Sequence, residues 1–92
     1  MGKIVWLRYE GDVTVPSDTN WGSVELGTLH EGYRPCKETF TYVSMDNVAR
    51  HSVCAFVGTD GKVFAKARGS YGWEYDAGAK VAIRFSLFFF TA

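Results

Sequence analysis

The stretch from Lys80 to Thr91 constrains the fold more than any other. Val81, Ile83, Phe85, Leu87 and Phe89 share one face of an extended chain, while Arg84, Ser86, Phe88 and Phe90 share the other. That period of two, carried by β-branched and aromatic residues, predicts a long closing strand, and no helical spacing competes with it. One face is suited to a core. The opposite face, ending in Phe88 and Phe90, is apolar enough to ask for a second cover.

The rest of the chain has the same character. Lys3 to Tyr9 is dense in strand formers, with Ile4 and Trp6 pointing one way and Val5, Leu7 and Tyr9 the other. Gly11 reads as a break before Asp12 to Val15, where a bulge or bend at Glu10-Gly11 would let the strand change sheets. Pro16 to Asn20 is a turn cluster, and Trp21 follows it at a loop-to-strand junction. Val24, Leu26 and Thr28 then alternate against Ser23, Glu25 and Gly27 as a half-buried strand. Glu38 to Met45 alternates Phe40 and Tyr42 against Thr39, Thr41 and Val43, and Asp46-Asn47 reads as a turn. Val48 to His51 is ambiguous.

Two turns carry sharper signals. In Thr28-Leu29-His30-Glu31-Gly32-Tyr33-Arg34-Pro35, Gly32 permits a backbone angle that other residues resist. Pro35 fixes its own φ and holds its predecessor extended, so one strand stops, the chain turns a corner, and another starts near Glu38. Asp60-Gly61 joins Ser52–Gly58 to Lys62–Ala67 as a hairpin. Taken as a two-residue turn, it sets Val57 opposite Phe64, Phe56 opposite Ala65, Ala55 opposite Lys66 and Cys54 opposite Ala67. Cys54, Phe56, Val63, Ala65 and Ala67 would then form a core face, with Val57, Ala55 and Phe64 beside Lys66 and Arg68 on a mixed one.

The chain has 92 residues, 47% of them hydrophobic and 16% aromatic, which suits one domain (1–92) and excludes disorder. With no segment asking for a helix, the turn clusters predict an all-β domain of about seven strands, an antiparallel β-sandwich of jelly-roll-like form. Ten basic and ten acidic side chains cancel, so no global field attracts nucleic acid or an anionic membrane. No apolar run approaches the roughly 20 residues that span a bilayer, and Lys3 to Tyr9 is too short for a secretory core. The abrupt start on a strand-like segment suggests a fragment excised from a longer protein. Cys36 and Cys54 lack metal-binding spacing and are expected to stay reduced.

The order of these parts resembles the C-terminal head domains of bacteriophage tail fibres and baseplate receptor-binding proteins. Those typically carry a Leu-Pro-x-Gly-Tyr/Phe-Arg-Pro corner, a hairpin with an Asp-Gly turn, and a last strand ending in aromatics. Here the matching residues are Leu29 to Pro35, Asp60-Gly61 and Phe85 to Phe89, with His30 where the family usually has proline. The resemblance covers most of the chain. It implies a homotrimer at the tail tip of a virion, assembled in the host cytoplasm and joined to the remainder of a tail fibre or baseplate. The first strand, the closing strand and part of the hairpin are also apolar on both faces, which asks for an oligomer or for a second sheet folded over those residues.

No nucleophile motif, phosphate loop or metal spacing is present in the sequence, so no catalytic residue, metal or cofactor is assigned. His51 with Asp46 has no supporting spacing, and Glu74 with Asp76 is weak as a glycosidase pair. Binding is the expected role. Arg68 to Ala79 is glycine-rich and lacks a period, and its Tyr71, Trp73 and Tyr75 offer aromatic plates for a bacterial cell-surface saccharide. Glu74 and Asp76 would accept sugar hydroxyls, with Trp21 in a second loop. Trp73 and Tyr75 would alternatively fold back as a lid on the sandwich end or pack between protomers. The function expected is a non-enzymatic head that binds a surface glycan during adsorption. The alternative is a structural module that trimerises or docks a fibre without touching the host, and a carbohydrate-cleaving enzyme is the outsider.

Overall fold

The computed structural model describes residues 2–46, 48–67 and 72–91, with backbone alone across 48–51. Its six strands are β1 (Ile4–Thr14), β2 (Ser23–Thr28), β3 (Thr39–Met45), β4 (Val48–Val57), β5 (Lys62–Ala67) and β6 (Lys80–Phe90). No helix occurs among the described residues. All neighbours are antiparallel, in one sheet of order β1-β6-β3-β4-β5-β2. All six strands contribute to a single core cluster. The sheet therefore curls, until edge strands β1 and β2 line a common apolar cleft with Leu7 and Tyr9 on one side and Leu26 on the other.

Strand β6 obeys its sequence period throughout: Val81, Ile83, Phe85, Leu87 and Phe89 are buried, and every intervening residue is exposed. Its partner β1 pairs with it without interruption from Ile4↔Phe90 to Thr14↔Lys80. The expected break at Gly11 is absent. Gly11 sits opposite Ile83 in continuous ladder, and a Cβ there would stand 3.1 Å from the Tyr9 hydroxyl, so the glycine makes room for that ring. The two predicted segments on either side of Gly11 are one strand, which brings the total to six rather than about seven.

The corner behaves as its residues dictate. Tyr33 N–H donates to His30 O at 3.0 Å, and Gly32 takes φ +97°. The corner is tied down at three places: Leu29 N–H to Gly61 O, Cys36 N–H to Phe90 O, and a Pro35↔Thr91 bridge. It thus crosses from β2 at the sheet edge to β3 in the middle, over the tip of the β4–β5 hairpin. Lys3 Nζ lies 4.1 Å from the centre of the Tyr33 ring on the same end of the molecule.

The hairpin register differs by one from the two-residue reading. Val57 pairs with Val63, Phe56 with Phe64, Ala55 with Ala65 and Cys54 with Lys66. Gly58 N–H donates to Lys62 O, leaving Thr59, Asp60 and Gly61 as a three-residue loop with Gly61 at φ +87°. This is the loop in which a type I turn is followed by one left-handed residue. The one-residue change turns the faces over. Val53, Ala55 and Val57 are buried in the core with Val63, Ala65 and Ala67, whereas Phe56 and Phe64 stand on the outer face. Cys54 is nevertheless buried, Cys36 is exposed, and the two are not joined in a disulfide.

Candidate functional site

The loop expected to present stacking plates instead closes one end of the curl. Trp73 is 0% exposed and belongs to the core cluster. Its backbone N–H donates to Thr19 O at 2.7 Å and its indole Nε1–H to Gly22 O at 2.9 Å. Gly72, at φ +57°, lies so close to Thr19 O that a Cβ would have no room. The segment is therefore clamped against residues 19–22, and Trp73 has no free face to offer a sugar ring. It packs as the lid of the sheet end.

Its neighbours are also engaged. Tyr75 is half-buried against the core and its hydroxyl donates to Asp46 Oδ2 at 2.8 Å. Glu74 is exposed at φ +62° and accepts from Ser52 Oγ at 2.8 Å. Residues 72–78 are turns and bends, so Glu74 and Asp76 do not share a strand face. Asp76 is exposed, and its backbone carbonyl accepts from Ala79 N–H. Trp21 remains exposed in the neighbouring loop. Tyr71 and the side chain of His51 lie outside the described residues. Among the described residues, no three His, Cys, Asp or Glu side chains come together as metal ligands.

The aromatic surface lies elsewhere, on the convex side of the sheet. Trp6 on β1 stacks with Phe88 on β6, centroids 5.9 Å apart and planes at 15°. Phe40 on β3 stacks with Phe56 on β4 at 5.7 Å, and Phe56 with Phe64 on β5 at 5.5 Å. These are cross-strand partners in register, and they form an interrupted aromatic belt of two groups, Trp6 with Phe88 on β1 and β6, and Phe40 with Phe56 and Phe64 on β3 to β5. Ile4, Phe90 and Tyr42 extend it. Phe88 is 67% exposed and Trp6 57%, so this end of the belt is largely open to solvent.

A groove opens along the belt where β3 and β6 separate. The two strands pair only at Ser44↔Arg84 and Met45↔Ile83, and meet again at Pro35↔Thr91. Between those anchors β3 and its lead-in take nine residue steps, from Pro35 to Ser44, against seven on β6, from Arg84 to Thr91. Two extra residues are ~6–7 Å of extended chain, which must bow away from the partner strand. The opening has a volume of about 400 Å³ and is lined by Trp6, Arg8, Tyr42, Ser44, Arg84 and Ser86. Comparison with protein-family models, curated proteins and solved structures finds no match.

Sequence reasoning passed over these groove residues, although a signal was present. Trp6, Arg8 and Glu10 recur at period two on one strand, and Arg84, Ser86 and Phe88 on another. What the sequence lacks is the fact that those two strands are neighbours.

Proposed function

We propose that this chain is a non-enzymatic head domain of a phage or prophage tail fibre that binds a bacterial surface glycan during host adsorption. In this reading it is a homotrimer of jelly-roll-like protomers at the tail tip, joined to the rest of a fibre or baseplate. The exposed aromatic belt carries the proposal. A neutral domain whose convex face exposes Ile4, Phe40, Phe88 and Phe90 is poorly suited to remain alone in water. Covering a few hundred apolar Å² per subunit would contribute several kcal/mol, at about 25 cal/mol per Å². Symmetric association then places several weak glycan sites on one rigid body and raises their effective concentration. The corner and the aromatic closing strand support the family resemblance, since each takes the conformation its residues were expected to take; Asp60-Gly61 also closes a hairpin, through a three-residue loop in place of the expected two-residue turn.

The burial of Trp73 favours a second reading in part. If the loop around it serves packing alone, the domain is a structural module that registers a fibre without receptor contact. Light scattering at several concentrations tests the first step: a mass near three times 10.3 kDa is expected, and a concentration-independent monomer refutes it. Adsorption of the labelled trimer to bacterial cells separates the two readings, because a structural module would not adsorb.

A further inference from the structure

We propose that the groove between β3 and β6 binds a saccharide unit carrying an acidic group, a carboxylate or a phosphate. The inference rests on the glycan-binding reading above and names a site for it away from the Trp73 loop. Three features meet in this groove. The first is a pair of aromatic walls. Trp6 and Tyr42 are each at least half exposed, and they stand on β1 and β3 on either side of β6. Phe88, opposite it on β6, stacks with the Trp6 ring and restrains the indole before any ligand arrives. Aromatic faces of this kind accept the C–H side of a pyranose.

The second feature is charge. Arg84 Nη2 lies 3.0 Å from Glu10 Oε1, and Arg8 Nη2 lies 3.6 Å from Glu10 Oε2. Both charged residues that line the groove, Arg8 and Arg84, are basic, while Glu10, which they share, and Asp12, which lines the adjoining hollow with Arg84, stand beyond its end. Glu10 orients both forks while neutralising only one of them. The planar donors that remain match a carboxylate or phosphate, either of which can be bound through two parallel hydrogen bonds. Because the cluster is exposed, the attraction is expected to weaken with salt.

The third feature is the neutral polar lining. Ser44 and Ser86 place hydroxyl groups between the aromatic walls and the arginines, where they can donate to or accept from sugar hydroxyls. The volume of the groove is within the range of small-ligand sites. Its open form suits an internal unit of a polymer, entering and leaving along the strands.

The test is a titration of the full chain, with amide and indole resonances followed by NMR. The probes are trigalacturonate, the neutral trisaccharide maltotriose, and a short glycerol-phosphate oligomer. Shifts at the Trp6 indole N–H and at Arg84 with either anionic probe, together with at least tenfold weaker binding of maltotriose, are expected. Which anionic probe binds identifies the source of the charge. Trp6→Ala and Arg84→Gln should each weaken binding about tenfold or more, and Arg84→Gln, which removes no belt residue, should leave light scattering and melting temperature as in wild type. The proposal is overturned if neither anionic probe binds, if shifts map to Trp21 and Asp76 instead, or if Trp6→Ala dissociates the oligomer and so belongs to its interface. Cell adsorption keeps the two levels apart. Adsorption retained by both variants removes the groove and spares the head-domain reading, whereas wild-type protein that never adsorbs removes both.

Discussion

Replacing Trp73 by Ala discriminates between a packing residue and a binding residue. A buried Trp withdraws about 150–250 Å² from water, roughly 4–6 kcal/mol at 25 cal/mol per Å². Alanine retains a little of that contact and the site partly collapses, which sets the loss at about 3–5 kcal/mol. The Gly22 carbonyl also loses the indole donor that approaches it at 2.9 Å, a further contribution of about 1 kcal/mol. For a domain of this size each kcal/mol moves the melting temperature by about 4–8 °C, so Trp73→Ala should lower it by at least roughly 12 °C. Trp73→Phe keeps most of the buried area and loses the hydrogen bond, so about 1–3 kcal/mol is expected. Calorimetry at one fixed protein concentration is the appropriate assay, because association would add its own stability. A Trp73→Ala protein that melts within about 2 °C of wild type yet no longer binds glycan would refute the packing assignment.

Two glycines offer a controlled comparison. Gly61 and Gly78 have nearly the same φ, +87° and +86°, but a Cβ at Gly61 would meet Leu29 O at 2.8 Å while nothing lies near Gly78. Gly78→Ala should cost about 1–2 kcal/mol for the left-handed backbone alone, and Gly61→Ala clearly more in the same urea titration. Leu87 and Phe88 are adjacent on β6 but face opposite ways. Leu87→Ala should destabilise by about 2–5 kcal/mol, whereas Phe88→Ala should stay within about 0.5 kcal/mol per protomer and instead reduce the mass seen by light scattering. For the Tyr75–Asp46 contact, a double-mutant cycle with Tyr75→Phe and Asp46→Ala should give a coupling of about 0.5–1.5 kcal/mol, and a coupling near zero would mean that this hydrogen bond adds nothing to stability.

What could be read from the sequence was the part governed by local rules. Alternation in β6 survives intact because both its neighbours and its solvent side conform to the pleat. The corner is legible for a similar reason, since Gly32 and Pro35 restrict their own backbone whatever surrounds them. The hairpin register was missed because Asp-Gly serves both as a two-residue turn and as the end of a three-residue loop, and the choice depends on where Gly58 finds its partner. The choice between plate and lid for Trp73 is not legible in the sequence, because its burial is arranged from outside its own segment. The carbonyls that hold it belong to Thr19 and Gly22, some fifty residues earlier. The groove was hidden for the same reason, because it arises from unequal path lengths in two strands far apart in the chain.

The pairing of β1 with β6 has a consequence for how the molecule is made. Ile4 and Phe90 are partners across 86 positions of chain. Strands β2 to β5 make their hydrogen bonds within residues 23–67, apart from the two β3–β6 pairs, and can assemble before the end of the chain exists. Strand β1 cannot. At translation speeds of about 5–20 residues per second it waits roughly 4–17 s for its partner, with Trp6 and Ile4 on one side and Val5 and Leu7 on the other. During that interval β1 stays open to other chains. Slowing initiation, so that fewer waiting chains meet, should raise the soluble yield of this domain.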